Sequence, residues 1–145
     1  MKVALGGDHR AVAYKEIAKD TLRTLGCEPV DFGTNSEASV DYPDFAVPVA
    51  RSVANGECER GVLICGTGIG MSMAANKVKG IRAAVVHDEE TAALSRQHND
   101  ANVLCVGSMV VEEALLKRIL RTWMTTGFEG GRHERRVRKV MEAEG

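Results

Sequence analysis

Short aliphatic runs alternate with amphipathic stretches along the whole chain. Val3-Ala4-Leu5 predicts a strand that stops at Gly6-Gly7. The spacing of Val12, Ile17, Ala18, Leu22 and Leu25 predicts a helix from about Ala11 to Leu25, closed by Gly26. Pro29 to Phe32 reads as a second strand, and Thr34 to Pro43 as a polar loop. Asp44 to about Asn55 reads as a helix in which Pro48 must occupy the first turn or cause a bend. Gly61 to Cys65 is the clearest buried strand. Gly66-Thr67-Gly68-Ile69-Gly70 follows it and leads into a helix over about Met71 to Asn76. Arg82 to Val86 and Asn102 to Val106 predict two more strands. Between them lies a helix from Asp88 to His98, with Asp88 as N-cap and Glu89 and Glu90 suited to its positive end. Val111 to about Thr125 predicts a long amphipathic helix, and Arg132 to Glu144 a basic tail helix.

Five short aliphatic strands joined by helices predict an α/β fold whose parallel sheet is covered on both faces. Ligands of such sheets bind beyond the carboxyl ends of the strands. That rule nominates Gly7-Asp8-His9, Cys65 to Gly70, and Gly107 to Met109.

Composition narrows the function. The 145 residues are 44% hydrophobic and 27% charged, which excludes a wholly disordered, fibrous or coiled-coil chain and suits one domain, residues 1–145. Aromatics are only 4%, against 15 glycines, so the core is expected to be aliphatic and the turns unusually free. With 19 basic and 20 acidic side chains, no overall pull toward nucleic acid or a membrane surface is expected. No apolar run approaches the ~18 residues of a membrane span, and the start of the chain carries no signal-peptide pattern. Cys27, Cys58, Cys65 and Cys105 form no CxxC pair, so reduced thiols and a cytoplasmic setting are expected.

The run from Cys65 to Gly70 carries most of the candidate chemistry. Glycines at 66, 68 and 70 let backbone N–H groups converge without Cβ obstruction, which makes a place for a phosphate or for an oxyanion formed in a reaction. Met71 stands where the dinucleotide fingerprint needs glycine, and the Walker A ending is absent. Read as structure alone, the run is a tight strand-to-helix turn. Cys65, beside those amides, is a nucleophile, a base or a small buried hydrophobe; Cys105 reads as core. Asp8 and His9 follow the first strand in the same way. Asp8 can cap the first helix, and His9 can bind phosphate or move protons. His98 suits a helix C-terminus, yet His98-Asn99-Asp100 is unusually polar just before a buried strand. His87 and Asp88 rank lower. In the tail, five basic side chains fall within residues 132–139, and Arg132 and Arg136 share one helical face, a phosphate grip or a solvated surface. The four histidines show no metal-ligand spacing, so no metal and no cofactor are expected.

These segments resemble the type B ribose-5-phosphate isomerases of the ribose/galactose isomerase family. The matching stretches are Gly7-Asp8-His9, Asp41-Tyr42-Pro43, Ile64 to Gly70, Ala74 to Lys77, Gly80 to Ala83, Ser95 to Val103, and Gly130-Gly131-Arg132-His133, in family order over nearly the whole chain. The resemblance implies a Rossmann-like three-layer α/β/α sandwich with a five-stranded parallel sheet. It implies a homodimer, or a dimer of dimers, with active sites at the subunit interface and the C-terminal helix packed there. It also implies metal-free aldose–ketose isomerisation of a sugar phosphate through an enediolate. By that resemblance Cys65 is the proton-abstracting base, and the amides of Gly66, Thr67, Gly68, Ile69 and Gly70 hold the enediolate oxygen, with the Thr67 side chain nearby. His98 opens the furanose ring. Asp8, His9 and Asn99 bind substrate, and Arg132 and Arg136 take the phosphate with help from His9. One residue departs from the family pattern: Met109 stands where arginine is usual after Gly107-Ser108. Ribose 5-phosphate is the expected substrate. The rivals are a six-carbon sugar phosphate (allose 6-phosphate or galactose 6-phosphate) and a non-catalytic sugar-phosphate-binding module.

Overall fold

The structure is a computed structural model that describes residues 1–145. Five parallel strands form one sheet: β1 (Lys2–Gly7), β2 (Glu28–Asp31), β3 (Arg60–Cys65), β4 (Ala83–Val85) and β5 (Val103–Gly107). Their order is β2-β1-β3-β5-β4. Six helices connect or follow them: α1 (Val12–Thr24), α2 (Pro43–Ala54), α3 (Ile69–Ala75), α4 (Glu89–Gln97), α5 (Glu113–Thr125) and α6 (Arg132–Glu142).

Two aliphatic cores cover the sheet. On one face Val3, Leu5, Val62, Ile64, Leu104 and Val106 pack with α1, α4 and α5. On the other, Ala4, Leu63, Cys65, Val103 and Cys105 pack with α2 and α3. Alternation along each strand thus divides its side chains between two helical layers, the three-layer sandwich that the resemblance implies. Cys105 is fully buried and its thiol is pushed far up by desolvation, so it is core, as its place in the fifth strand suggests.

The direction in which strands are added to the sheet reverses at β1, since β2 lies to one side of it and β3 to the other. The carboxyl ends of β1 and β3 are therefore the switch point at which parallel α/β sheets hold ligands.

Element boundaries differ from the sequence reading for local reasons. The helix after β3 starts at Ile69 instead of Met71, because Gly68, at φ 82°, turns the chain in the left-handed region immediately before it. Pro43 opens α2, and Pro48 is accommodated within that helix beyond its first turn. The expected start of α5 at Val111 moves to Glu113; Val111 is buried ahead of the helix, and its carbonyl accepts the Tyr14 hydroxyl at 2.6 Å. Asp8 does not cap α1, whose N-cap is Ala11. Its carboxylate accepts the Arg10 N–H at 2.9 Å and tightens the turn ahead of the helix instead. Asp88 does cap α4, accepting the Thr91 N–H at 2.7 Å.

Candidate active site

Cys65 is the last residue of β3, 5% exposed, at the floor of a cavity of about 280 Å³. Asp8, His9 and Arg10 line it from the turn after β1. Val40 and Tyr42 line it from the loop before α2, and Gly66, Thr67 and Gly70 from the glycine-rich turn. The sheet brings these together because β1 and β3 are neighbours in register, with Gly7 opposite Ile64.

The turn is built around the thiol. The Gly68 N–H donates to Cys65 Sγ at 3.1 Å, and the Ile69 N–H to Thr67 Oγ1 at 3.2 Å. The N–H groups of Gly66 and Thr67 donate to no atom of the chain. Two unused amides beside a sulfur that already accepts a third form a donor set for negative charge. Packing enforces the turn from β5. A Cβ on Gly107 would lie 2.6 Å from Thr67 Cα, and one on Gly68 would lie 3.0 Å from the Val106 carbonyl carbon. The strand end is tied to the turn by the Ser108 N–H on the Cys65 carbonyl at 2.8 Å and the Met109 N–H on the Gly66 carbonyl at 3.0 Å.

His9 Nδ1 accepts the Val40 N–H at 3.2 Å, which places the neutral ring's proton on Nε2. Tyr42 presses on the turn so closely that a Cβ on Gly70 would sit 2.6 Å from its Cζ. Sequence reasoning left Arg10, Val40 and Tyr42 out of the site. Tyr42 was visible within the Asp41-Tyr42-Pro43 match, whereas Arg10 and Val40 carried no signal of their own.

The remaining candidates gather elsewhere. His98 is the C-cap of α4, at the amino-terminal end of β5, whereas Cys65 pairs with Gly107 at its carboxyl end. The length of β5 lies between them, roughly 15 Å at the usual strand rise. The His98 ring stacks on His133 of α6, with centroids 4.2 Å apart and planes within 10°. Glu129 Oε1 lies 3.5 Å from His98 Nε2 and 3.8 Å from His133 Nε2. Burial, then the neighbouring His98, pulls the His133 pKa below that of an ordinary histidine. Asn99 and Arg136 line a second cavity of about 710 Å³ between α6 and the α3–β4 connection, and Arg132 is exposed at the start of α6. Asp100 belongs to the scaffold: its carboxylate takes Arg96 at 2.9 Å, and its carbonyl takes Arg82 Nη2 at 2.8 Å.

His98, Glu129 and His133 bring three potential metal-ligand atoms within 4.8 Å, a grouping that histidine spacing in the sequence did not reveal. In two stacked, near-parallel rings the nitrogen lone pairs run side by side instead of converging, so a metal there would require one ring to turn.

Residues 3–140 match the family model described as Ribose/Galactose Isomerase. The chain is 48% identical to ribose-5-phosphate isomerase B of Escherichia coli K12 over 143 residues, which covers 99% of this chain and 96% of that protein. Its fold superposes on Clostridium thermocellum ribose-5-phosphate isomerase B with TM-score 0.97 at 51% identity, covering 99% of this chain and 97% of the other. It is also similar to a Mycoplasma genitalium ribose-5-phosphate isomerase B solved with bound ribulose-5-phosphate, with TM-score 0.94, 46% identity, and coverage of 99% and 95%. The chain belongs to the ribose/galactose isomerase family.

Proposed function

We propose that the protein interconverts ribose 5-phosphate and ribulose 5-phosphate, with Cys65 moving the proton between the two carbons. One observation carries the reading: a nearly buried thiol stands beside two amides that have no acceptor in the chain. A phosphate-binding module needs the amides but not the thiol. The relatives named above, alike over nearly the full length, support the pentose. Met109 favours a second reading, a six-carbon sugar phosphate, because the family's usual cation is missing where it stands.

The chemistry follows from the arrangement. In the open-chain aldehyde, the Cys65 thiolate takes the hydrogen at C2. The electron pair moves into the carbonyl, and O1 becomes an oxyanion facing the amides of Gly66 and Thr67. The same thiol returns a proton to C1, while the O2 hydroxyl loses its proton as C2 becomes the ketone. One hydrogen moves from C2 to C1 and one from O2 to O1, so no redox partner is required. Preorganised amides of this kind contribute a few kcal/mol per donor, and a positioned base roughly 10²–10⁴-fold.

A second copy of the chain completes the site in this proposal. The Cys65 cavity alone falls short of the ~300 Å³ at which small-molecule sites begin. Ile69 and Met73, four residues apart on α3 beside the turn, are 50% and 64% exposed. A partner covering that face would bring its own His98, Asn99, Arg132 and Arg136 to the open side. His98 would open the furanose ring, and the arginines would hold the phosphate. No helix is long and apolar enough to cross a membrane, and we place the enzyme in the cytoplasm.

The test is a substrate panel read by ketose formation. Ribose 5-phosphate should turn over with a kcat/KM well above that for allose 6-phosphate or galactose 6-phosphate. Preference for a six-carbon substrate would move the assignment to the second reading. Phosphate-ester binding with no turnover of any sugar phosphate would support the binding module.

A further inference from the structure

Arg10 stands at the mouth of the Cys65 cavity, in the turn between β1 and α1. Its backbone is held on both sides: its N–H donates to Asp8 Oδ1 at 2.9 Å, and its carbonyl accepts the Ser108 hydroxyl at 3.1 Å. The guanidinium lies over Gly66, where a Cβ would come within 3.0 Å of Nη1. The bare Gly66 therefore leaves room for this side chain as well as freeing the turn.

Its bonding is far from complete. Nη1 donates to the Met109 sulfur at 3.2 Å, a weak acceptor for a group with five N–H donors. No carboxylate pairs with it. By contrast Arg23, Arg82, Arg96 and Arg118 all pair with acidic side chains. Among the residues lining the cavity, Arg10 is the sole lysine or arginine. Asp8, the one carboxylate there, already accepts from the Arg10 N–H. A guanidinium with free donors, set on the rim beside His9 and the Gly66 amide, is arranged for an oxygen-rich dianion.

We propose that Arg10, seated on Met109 over Gly66, is the cation with which the Cys65 side of the site contacts the substrate phosphate. This rests on the sugar-phosphate reading above and adds to it a residue the family resemblance did not supply. It also gives Met109 a role. An arginine at 109 would meet the Arg10 guanidinium as a like charge, whereas a thioether packs against it without repulsion. The cation is thus relocated from the turn after β5 to the turn after β1, at the same rim.

The experiment compares wild type, Arg10→Ala, Arg10→Lys, and Arg10→Ala combined with Met109→Arg. KM and kcat for ribose 5-phosphate, competitive inhibition by inorganic phosphate, and Tm are measured for each. Arg10→Ala should raise both KM and the phosphate inhibition constant by roughly 10–100-fold, the range for losing a charge-assisted hydrogen bond, with a smaller effect on kcat. Arg10→Lys should keep part of the affinity, and the double variant should recover most of it. Unchanged KM and unchanged phosphate inhibition in Arg10→Ala would overturn the proposal. So would losses confined to Tm and kcat, which is what a purely structural arginine would give. Should wild type turn over no sugar phosphate, the isomerase reading fails separately. Calorimetric titration of wild type and Arg10→Ala with inorganic phosphate then decides on Arg10, and equal affinities would reject it.

Discussion

The Gly68 N–H points at Cys65 Sγ across 3.1 Å, so the backbone turn that carries the open Gly66 and Thr67 amides also holds the sulfur beside them. Those two N–H groups have no acceptor in the chain, and the turn fixes where the sulfur sits relative to them. The turn and the proposed base are therefore one unit, and damage to the turn should reach the chemistry.

Gly107→Ala tests that unit from outside it. The new methyl group would fall 2.6 Å from Thr67 Cα and 2.7 Å from the Gly66 carbonyl oxygen, so the turn must move. The expected result is a loss of about 1–3 kcal/mol in stability from overpacking, together with a drop in kcat larger than any change in KM. Chemical denaturation and steady-state kinetics on the same preparation check both.

Lys15 and Asp31 set the acid limit of the fold. Lys15 is fully buried, and its Nζ reaches Asp31 at 2.7 Å and Asn35 at 3.0 Å. Lys19 reaches the other Asp31 oxygen at 2.6 Å. Burial pushes the Asp31 carboxyl up, but the two lysines and the Gly33 N–H outweigh it and hold its pKa below the ordinary value. A carboxyl depressed by folding contributes stability that is complete above its unfolded pKa and is lost as pH falls through its folded one. Unfolding free energy should therefore be flat near neutrality on this account and decline below about pH 4. Asp31→Asn leaves Lys15 buried without its charge partner and should cost about 3–5 kcal/mol at neutral pH. Urea titrations of both proteins across pH give the comparison.

The proposed assembly of the site across two copies of the chain predicts complementation. Cys65→Ala and His98→Asn chains should each be nearly inactive. Mixed by unfolding and refolding together, they should regain activity, because a hybrid dimer pairs the intact Cys65 of one chain with the intact His98 of the other. A site built within one chain would give no recovery, since every chain in the mixture carries a lesion.

Much of this was legible in the sequence. The five strands, the six helices and the three loop clusters nominated by the strand ends all follow from alternation of aliphatic runs with helical spacing. Cys65 and its glycines were legible because the motif is contiguous. Arg10 was not, since its proposed role depends on Met109, which is 99 residues away and becomes its neighbour only because β1 and β5 both flank β3. The stacking of His98 on His133 was hidden for the same reason: a helix C-cap and a distant tail helix carry no shared periodicity. The Asp8 cap failed on geometry, because a residue three positions before Ala11 can shape the turn but cannot reach the first amides of the helix.

The most direct measurement follows the hydrogen at C2 of ribose 5-phosphate. In deuterated water, wild type should form ribulose 5-phosphate and exchange that hydrogen with solvent, as seen by proton NMR. Cys65→Ala, checked for an unchanged Tm, should lose both isomerisation and exchange by about 10²–10⁴-fold or more. Wild-type exchange and turnover persisting in Cys65→Ala would contradict the account, because the proton would then be moving without the thiol.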